Sequence, residues 1–252
     1  MARSGHHRLS RRGFTAGAGA LALAACGRAP ERVDVEQAFA RGRYVIVDGR
    51  PYRPVDLHII GEDRAFGAET TAFLRKLAGE VREVEPVGPV QDGRSTPARL
   101  YGEDGLDLAE ALLVTGHARV WPRGETEGSL APYFEREEEA REAKAGLWSL
   151  PDHAVREPDA DALAQAMDSF QIVRGRVVEV GASEGRRFLN FGADWRTDVT
   201  AVLDRGVARS LDKTLDVEAL RGTRVEVRGW VEMVNGPSLW LEDERALQIL
   251  GG

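Results

Sequence analysis

The chain has 252 residues, 42% hydrophobic and 30% charged, with 41 acidic against 34 basic side chains and a net charge of −7. That acidic balance argues against a protein that grips nucleic acid through a broad basic face, while leaving room for a small cationic pocket. A single cysteine excludes an internal disulfide, so stability must come from packing, and the length suffices for two small domains.

Residues 1–26 read as an export signal. Arg3, Arg8, Arg11 and Arg12 precede the first acid, Glu31, and a small-residue apolar run from Ala16 to Ala25 ends at Cys26. The run is too short for a permanent transmembrane helix. Ser10-Arg11-Arg12-Gly13-Phe14 resembles a twin-arginine motif, although paired arginines also occur in general secretory signals. Leu23-Ala24-Ala25-Cys26 resembles a bacterial lipobox, so Cys26 is the expected lipidation site and the membrane an expected partner. Gly27, with no Asp in that place, favours the outer membrane over the inner by the sorting rules of such lipoproteins. Residues 27–42 read as a tether.

A first domain is expected over 43–150. Tyr44–Val47 and Val55–Ile60 are β-rich runs around a turn at Asp48-Gly49-Arg50-Pro51. Apolar spacing predicts a helix over Phe66–Leu77, and Val81–Val90 and Pro97–Tyr101 are short strand candidates. A second helix carries Leu106, Leu108, Ala109, Leu112 and Leu113 and stops at Gly116. A third runs from Pro132 to Ala145, with Gly146 placed to close it. Its run Glu135-Arg136-Glu137-Glu138-Glu139 reads as a solvated face without a site.

Residues 151–168, with Pro151, Pro158 and a run of Asp and Ala, read as a linker, and 169–252 as a second domain. Strands are expected over Gln171–Val180, Arg187–Phe191 and Val199–Leu203, then a short helix over Asp216–Leu220. Strands over Thr223–Val234 and Ser238–Leu241 close the set. Three strands, a helix and two strands is the order of a small Greek-key barrel of the OB type. The expected fold class is therefore mainly β with helices, built as two OB-like barrels.

Several segments taken in order give the first domain a resemblance to the thermonuclease family, the staphylococcal-nuclease-like OB fold. They are Val55–Ile60, Phe66-Gly67-Ala68-Glu69 running into Thr71-Ala72-Phe73-Leu74, Asp92-Gly93-Arg94, Asp104 to Val120, and Glu138 to Ser149. Leu189 to Asp198 resembles the C-terminal extension of exported bacterial members. The resemblance implies calcium-dependent phosphodiester hydrolysis. Aspartates would hold the metal, a glutamate would activate water, and two arginines would stabilise the phosphoryl charge.

This sequence departs from that pattern. Asp56 falls where a strand arginine belongs, Gly61 at a metal aspartate, Asp63 at a proline and Arg64 at the general-base glutamate. The upstream acid, in a segment resembling Asp-Gly-Asp-Thr, falls near Ala40-Arg41, where no carboxylate exists. Arg94 alone keeps a catalytic position. A shifted register would let Glu62 and Asp63 serve as ligands or base, but adjacent residues on an extended segment point to opposite sides.

Elsewhere, His58, His117 and His153 lack metal-type spacing, and His58 on a strand reads as structural. Asn190, Asp194, Trp195, Arg196 and Asp198 form a polar-aromatic cluster. It reads either as a binding face with Trp195 as a stacking platform or as an Asn- and Asp-stapled turn with Trp195 over the barrel mouth. Trp230 and Trp240 read as barrel packing. The leading expectation is an exported, lipid-anchored envelope protein with a degenerate nuclease site and no cofactor, acting as a binding or scaffolding module for nucleic acid or an envelope protein. The alternatives are an active calcium-dependent nuclease with displaced acids and a purely structural envelope protein.

Overall fold

The computed structural model describes residues 32–88 and 94–251. The export signal, Cys26 and the pair Asp92-Gly93 lie outside them. The fold is mainly β, with a few short helices.

In the first domain, β1 (Val33–Asp34), β2 (Ala38–Arg41), β3 (Tyr44–Val47) and β4 (Arg50–Pro54) lead into β5 (Leu57–Ile59). Next come α1 (Gly67–Ala78), β6 (Val81–Pro86), β7 (Thr96–Gly102), α2 (Leu108–Val114), β8 (Ala118–Val120) and α3 (Ala131–Glu142). The six-stranded order is β1-β6-β7-β4-β3-β2. Because β1 and β2 follow one another along the chain yet occupy the two ends of that order, the sheet curls shut into a barrel. β4 and β7 pair in parallel, Tyr52 opposite Thr96, as an intervening helix requires. Val45, Val47, Leu74, Leu100 and Leu112 fill the interior.

Two expectations change here. Much of the tether expected at 27–42 is barrel wall, with Val33 opposite Val84 and Ala40 opposite Val45. Its polar sequence hides this because β1 is exposed and β2 only half buries alternate residues. The single strand expected over Val55–Ile60 is broken at Val55-Asp56, where Asp56 takes a left-handed φ of 50°. Its carboxylate accepts from the Arg123 N–H at 2.9 Å and the Thr126 hydroxyl at 2.5 Å, which fixes the turn. The chain then leaves the barrel as β5 and pairs with β8, His58 opposite Arg119.

Between the domains, α4 (Ala160–Ala164) occupies the expected linker, and its Leu163 is fully buried in the second core. The second barrel follows with β9 (Phe170–Arg176), β10 (Glu179–Ser183), β11 (Arg186–Asn190), β12 (Thr200–Leu203) and α5 (Arg205–Leu211). Strands β13 (Arg224–Val234), β14 (Gly236–Leu241) and β15 (Leu247–Ile249) complete it. The order β10-β11-β12-β14-β13, with β9 on the far side of β13, closes this barrel because β9 runs straight on into β10. The strand expected over Gln171–Val180 is thus two strands, parted at Val177 and Val178. Helix α5, which was not expected, is capped by the Asp204 carboxylate on the Gly206 and Val207 N–H groups. The helix expected at Asp216–Leu220 is a 3-10 turn over Val217–Leu220.

Candidate functional site

A cleft of about 790 Å³ opens between the barrels. Its walls come from the β2–β3 turn, β5 and the loop after it, β8, the segment 152–171 and Trp230 of β13. The β5–β8 ribbon makes this possible, because it carries His58 and Arg119 out of the first barrel toward the second. There His58 stacks on Phe170 with ring centroids 4.7 Å apart. Arg119 donates through Nη2 to the Phe170 carbonyl at 2.9 Å and lies 3.3 Å from His58 Nδ1.

Burial, then the nearby Arg119, pushes the His58 and His153 imidazoles below their ordinary pKa, so both are neutral at pH 7. Burial also lowers the Arg119 guanidinium to about 9. His153 Nε2 sits 3.3 Å from the Ala65 carbonyl, and His117 is stacked between Phe66 and Phe73. His58 and His117 are thus held in aromatic stacks, and His153 by the Ala65 carbonyl.

Behind the cleft the barrels are locked by charge. Glu137 is 1% exposed and accepts from the Val120 N–H at 2.8 Å, Arg228 Nη1 at 2.8 Å and Arg141 Nη2 at 2.5 Å. Arg228 also donates to the Val120 carbonyl at 2.9 Å and pairs with Glu226. Glu226 further receives Arg141 at 3.1 Å and Arg174 at 2.7 Å. Burial alone would raise the Glu226 carboxyl, but the guanidinium groups of Arg228 and Arg141 hold it down at about 2. Glu137 is thus no part of a solvated face, because one edge of α3 is roofed by the second barrel. Trp230 likewise packs against His58 and Trp121 across the interface, at 5.8 Å each, and not inside its own barrel.

The residues singled out from the sequence are scattered. Glu62 and Asp63 line the cleft on its exposed rim, with Arg64 Nε 3.8 Å from the Asp63 carboxylate. Arg94 is exposed in the turn before β7 and does not line the cleft. Asn190 is buried and accepts from the Thr200 hydroxyl at 3.0 Å. Asp198 accepts from the Asp194 N–H at 2.8 Å, and Asp194 from the Arg196 N–H at 3.1 Å, which is the stapled-turn arrangement. Trp195 is not seated over the barrel mouth. It is 48% exposed, with the Arg196 guanidinium 4.5 Å from its ring centre.

Residues 28–150 match the family model described as staphylococcal nuclease homologue. The first domain belongs to that family. No curated protein matches the chain. Calcium, the metal that this family implies, needs six to eight oxygen ligands. The residues of this domain do not fit it. The β2–β3 turn, where the Asp-Gly-Asp-Thr pattern would lie, reads Arg41-Gly42-Arg43-Tyr44 and brings Arg43 to the cleft. Among the described residues no three His, Cys, Asp or Glu side chains converge as a metal site.

The sequence reading missed Arg119, Arg156, Glu137, Glu226 and Arg228. The available signals were weak: an arginine between Ala118 and Val120 on a buried strand, the i,i+4 spacing of Glu137 and Arg141, and Glu226 and Arg228 two apart on one strand face.

Proposed function

We propose that the protein is an exported, lipid-anchored envelope protein whose nuclease-like barrel no longer hydrolyses phosphodiesters and serves as a binding or scaffolding module. The observation that carries this is the chemistry of the cleft at the family's site. Guanidinium groups occupy the turn where carboxylates would hold the metal, and the least exposed charged side chains of the cleft are arginines. A guanidinium cannot ligate calcium or accept a proton from water.

The test is digestion of single- and double-stranded DNA and of RNA by purified protein with millimolar calcium. The expected result is no cleavage above buffer. Cleavage that is lost in Glu62→Gln or Asp63→Ala would establish displaced catalytic acids and overturn the proposal. Anchoring at Cys26 is supported by Leu23-Ala24-Ala25-Cys26 and the arginines before it. It predicts membrane-fraction protein that becomes soluble or fails to mature in Cys26→Ser; unchanged membrane association would count against the anchor.

A further inference from the structure

Arg119 is 2% exposed and lines the cleft, and among the described residues no carboxylate pairs with it directly, Glu137 acting on it only through space. A guanidinium carries five N–H bonds. Nη2 of Arg119 is engaged by Phe170 and His58, whereas Nε and Nη1 meet no acceptor. A buried cation with unanswered donors is among the costlier features a fold can retain. The Phe170 ring, 4.9 Å from the guanidinium carbon, gives the charge a cation–π contact but leaves those N–H groups unanswered.

Four arginines and four carboxylates line the cleft, and they differ in depth. Arg156, half-buried in the same cleft, has neutral partners for its side chain among the described residues, Gln171 Oε1 at 2.8 Å and the Asp152 carbonyl at 3.4 Å. Arg43 and Arg64 add positive charge nearer solvent. The carboxylates that line the cleft, Glu62, Asp63, Asp152 and Asp168, are all exposed. The two least exposed charged groups of the cleft are therefore cations, and every acid lies at the rim. A volume of about 790 Å³ is within the range of small-molecule sites.

We propose that the cleft between the barrels binds a compact oxyanion, a phosphate or carboxylate group, with Arg119 and Arg156 as its cationic partners. This rests on the reading of the first barrel as a binding module without hydrolysis, and it names the ligand class of that module.

The test is thermal unfolding and titration calorimetry of the purified protein with sodium phosphate, sodium malonate and sodium chloride at matched ionic strength. One or both oxyanions should raise the midpoint, by roughly 5–10 °C at about 100 times Kd, while chloride does not. A response to phosphate alone assigns a phosphoryl ligand, and one to malonate alone a carboxylate. Arg119→Met should abolish the response while the unliganded midpoint stays at or above that of the parent, a pairing that a purely structural arginine would not give. Arg156→Gln, which leaves the interface intact, should weaken binding roughly tenfold and carries the test if Arg119→Met fails to fold. An equal response to chloride, no response to either oxyanion, or a full response in Arg156→Gln would overturn the assignment. Nuclease activity in the digestion assay would instead overturn the functional reading on which it rests.

Discussion

Replacing Glu137 by Gln tests the charged lock between the barrels. The substitution keeps the shape and removes the charge that Arg228 and Arg141 share, and it turns an amide NH2 toward one of three donors. Those donors are the Val120 N–H and Arg228 at 2.8 Å and Arg141 at 2.5 Å. Hydrogen bonds to charged groups contribute about 1.5–3 kcal/mol each, which would sum to well over 5. Arg228 and Arg141 both retain Glu226, so the loss is partly offset. A cost of about 3–5 kcal/mol is expected, as for one broken partner of a buried pair, or a midpoint lower by roughly 6–20 °C. Urea and thermal unfolding followed by circular dichroism read it. Glu138→Gln is the control on the same helix: Glu138 is 53% exposed and pairs only with Arg141 at 3.2 Å, so it should cost under about 1 kcal/mol. The double replacement Glu137→Leu with Arg228→Met should recover much of the loss by removing both charges. Equal effects of Glu137→Gln and Glu138→Gln, both under about 1 kcal/mol, would refute the lock and return α3 to a solvated role.

Two further outcomes follow from single positions. His58 is buried and its folded pKa lies below the ordinary 6.5, so below pH 6.5 the unfolded chain takes a proton that the folded one refuses. Its contribution is therefore complete above pH 6.5 and falls away as pH drops, by up to about 1.4 kcal/mol per pH unit. His58→Phe keeps the stack on Phe170 and should flatten urea midpoints between pH 6.5 and 5 by that single-proton slope; an unchanged slope would mean that His58 charges in the folded state. Gly116 has φ 69°, and a Cβ there would lie 2.1 Å from the Ala145 carbonyl oxygen. Gly116→Ala should cost more than about 2 kcal/mol by thermal unfolding, against about 1 for Gly42→Ala, whose φ of 61° is similar but whose surroundings are open. Equal losses at the two would show that backbone conformation, and not close approach, decides.

Legibility in the sequence followed amphipathic pattern. Helix α1 was legible from the spacing of Ala68, Ala72, Phe73 and Leu77, although Ala68 and Ala72 prove exposed and Leu74 takes the buried place; β7 was expected as a short strand, and Asp48-Gly49 as a turn. Strands β1 and β2 did not, since they are the barrel's wet side. Gly146 was expected to end α3, but the helix stops at Glu142, Lys144 takes the left-handed turn, and Gly146 instead meets Gly116. The departure from the family pattern near Gly61 was legible because it is a matter of residue identity. The arginines deep in the cleft were not, because Arg119 and Arg156 are brought together only by a strand pairing and an interdomain packing that no local pattern encodes. Glu137 was misjudged for the same reason: a charge run looks alike whether its roof is water or a neighbouring barrel.

The shared cluster of Ala140, Leu147, Trp148, Phe170 and Ile172 has a consequence for where this molecule can be cut. Three of these residues come from the segment that ends at 150 and two from the strand that follows α4. Severing the chain there would turn Trp148, Glu137 and the β8 carbonyl from interior into surface, and leave Arg228 with Glu226 but without Glu137 and the Val120 carbonyl. The limit of the family segment at 150 is thus no boundary of packing, because the two barrels close over one shared cluster there.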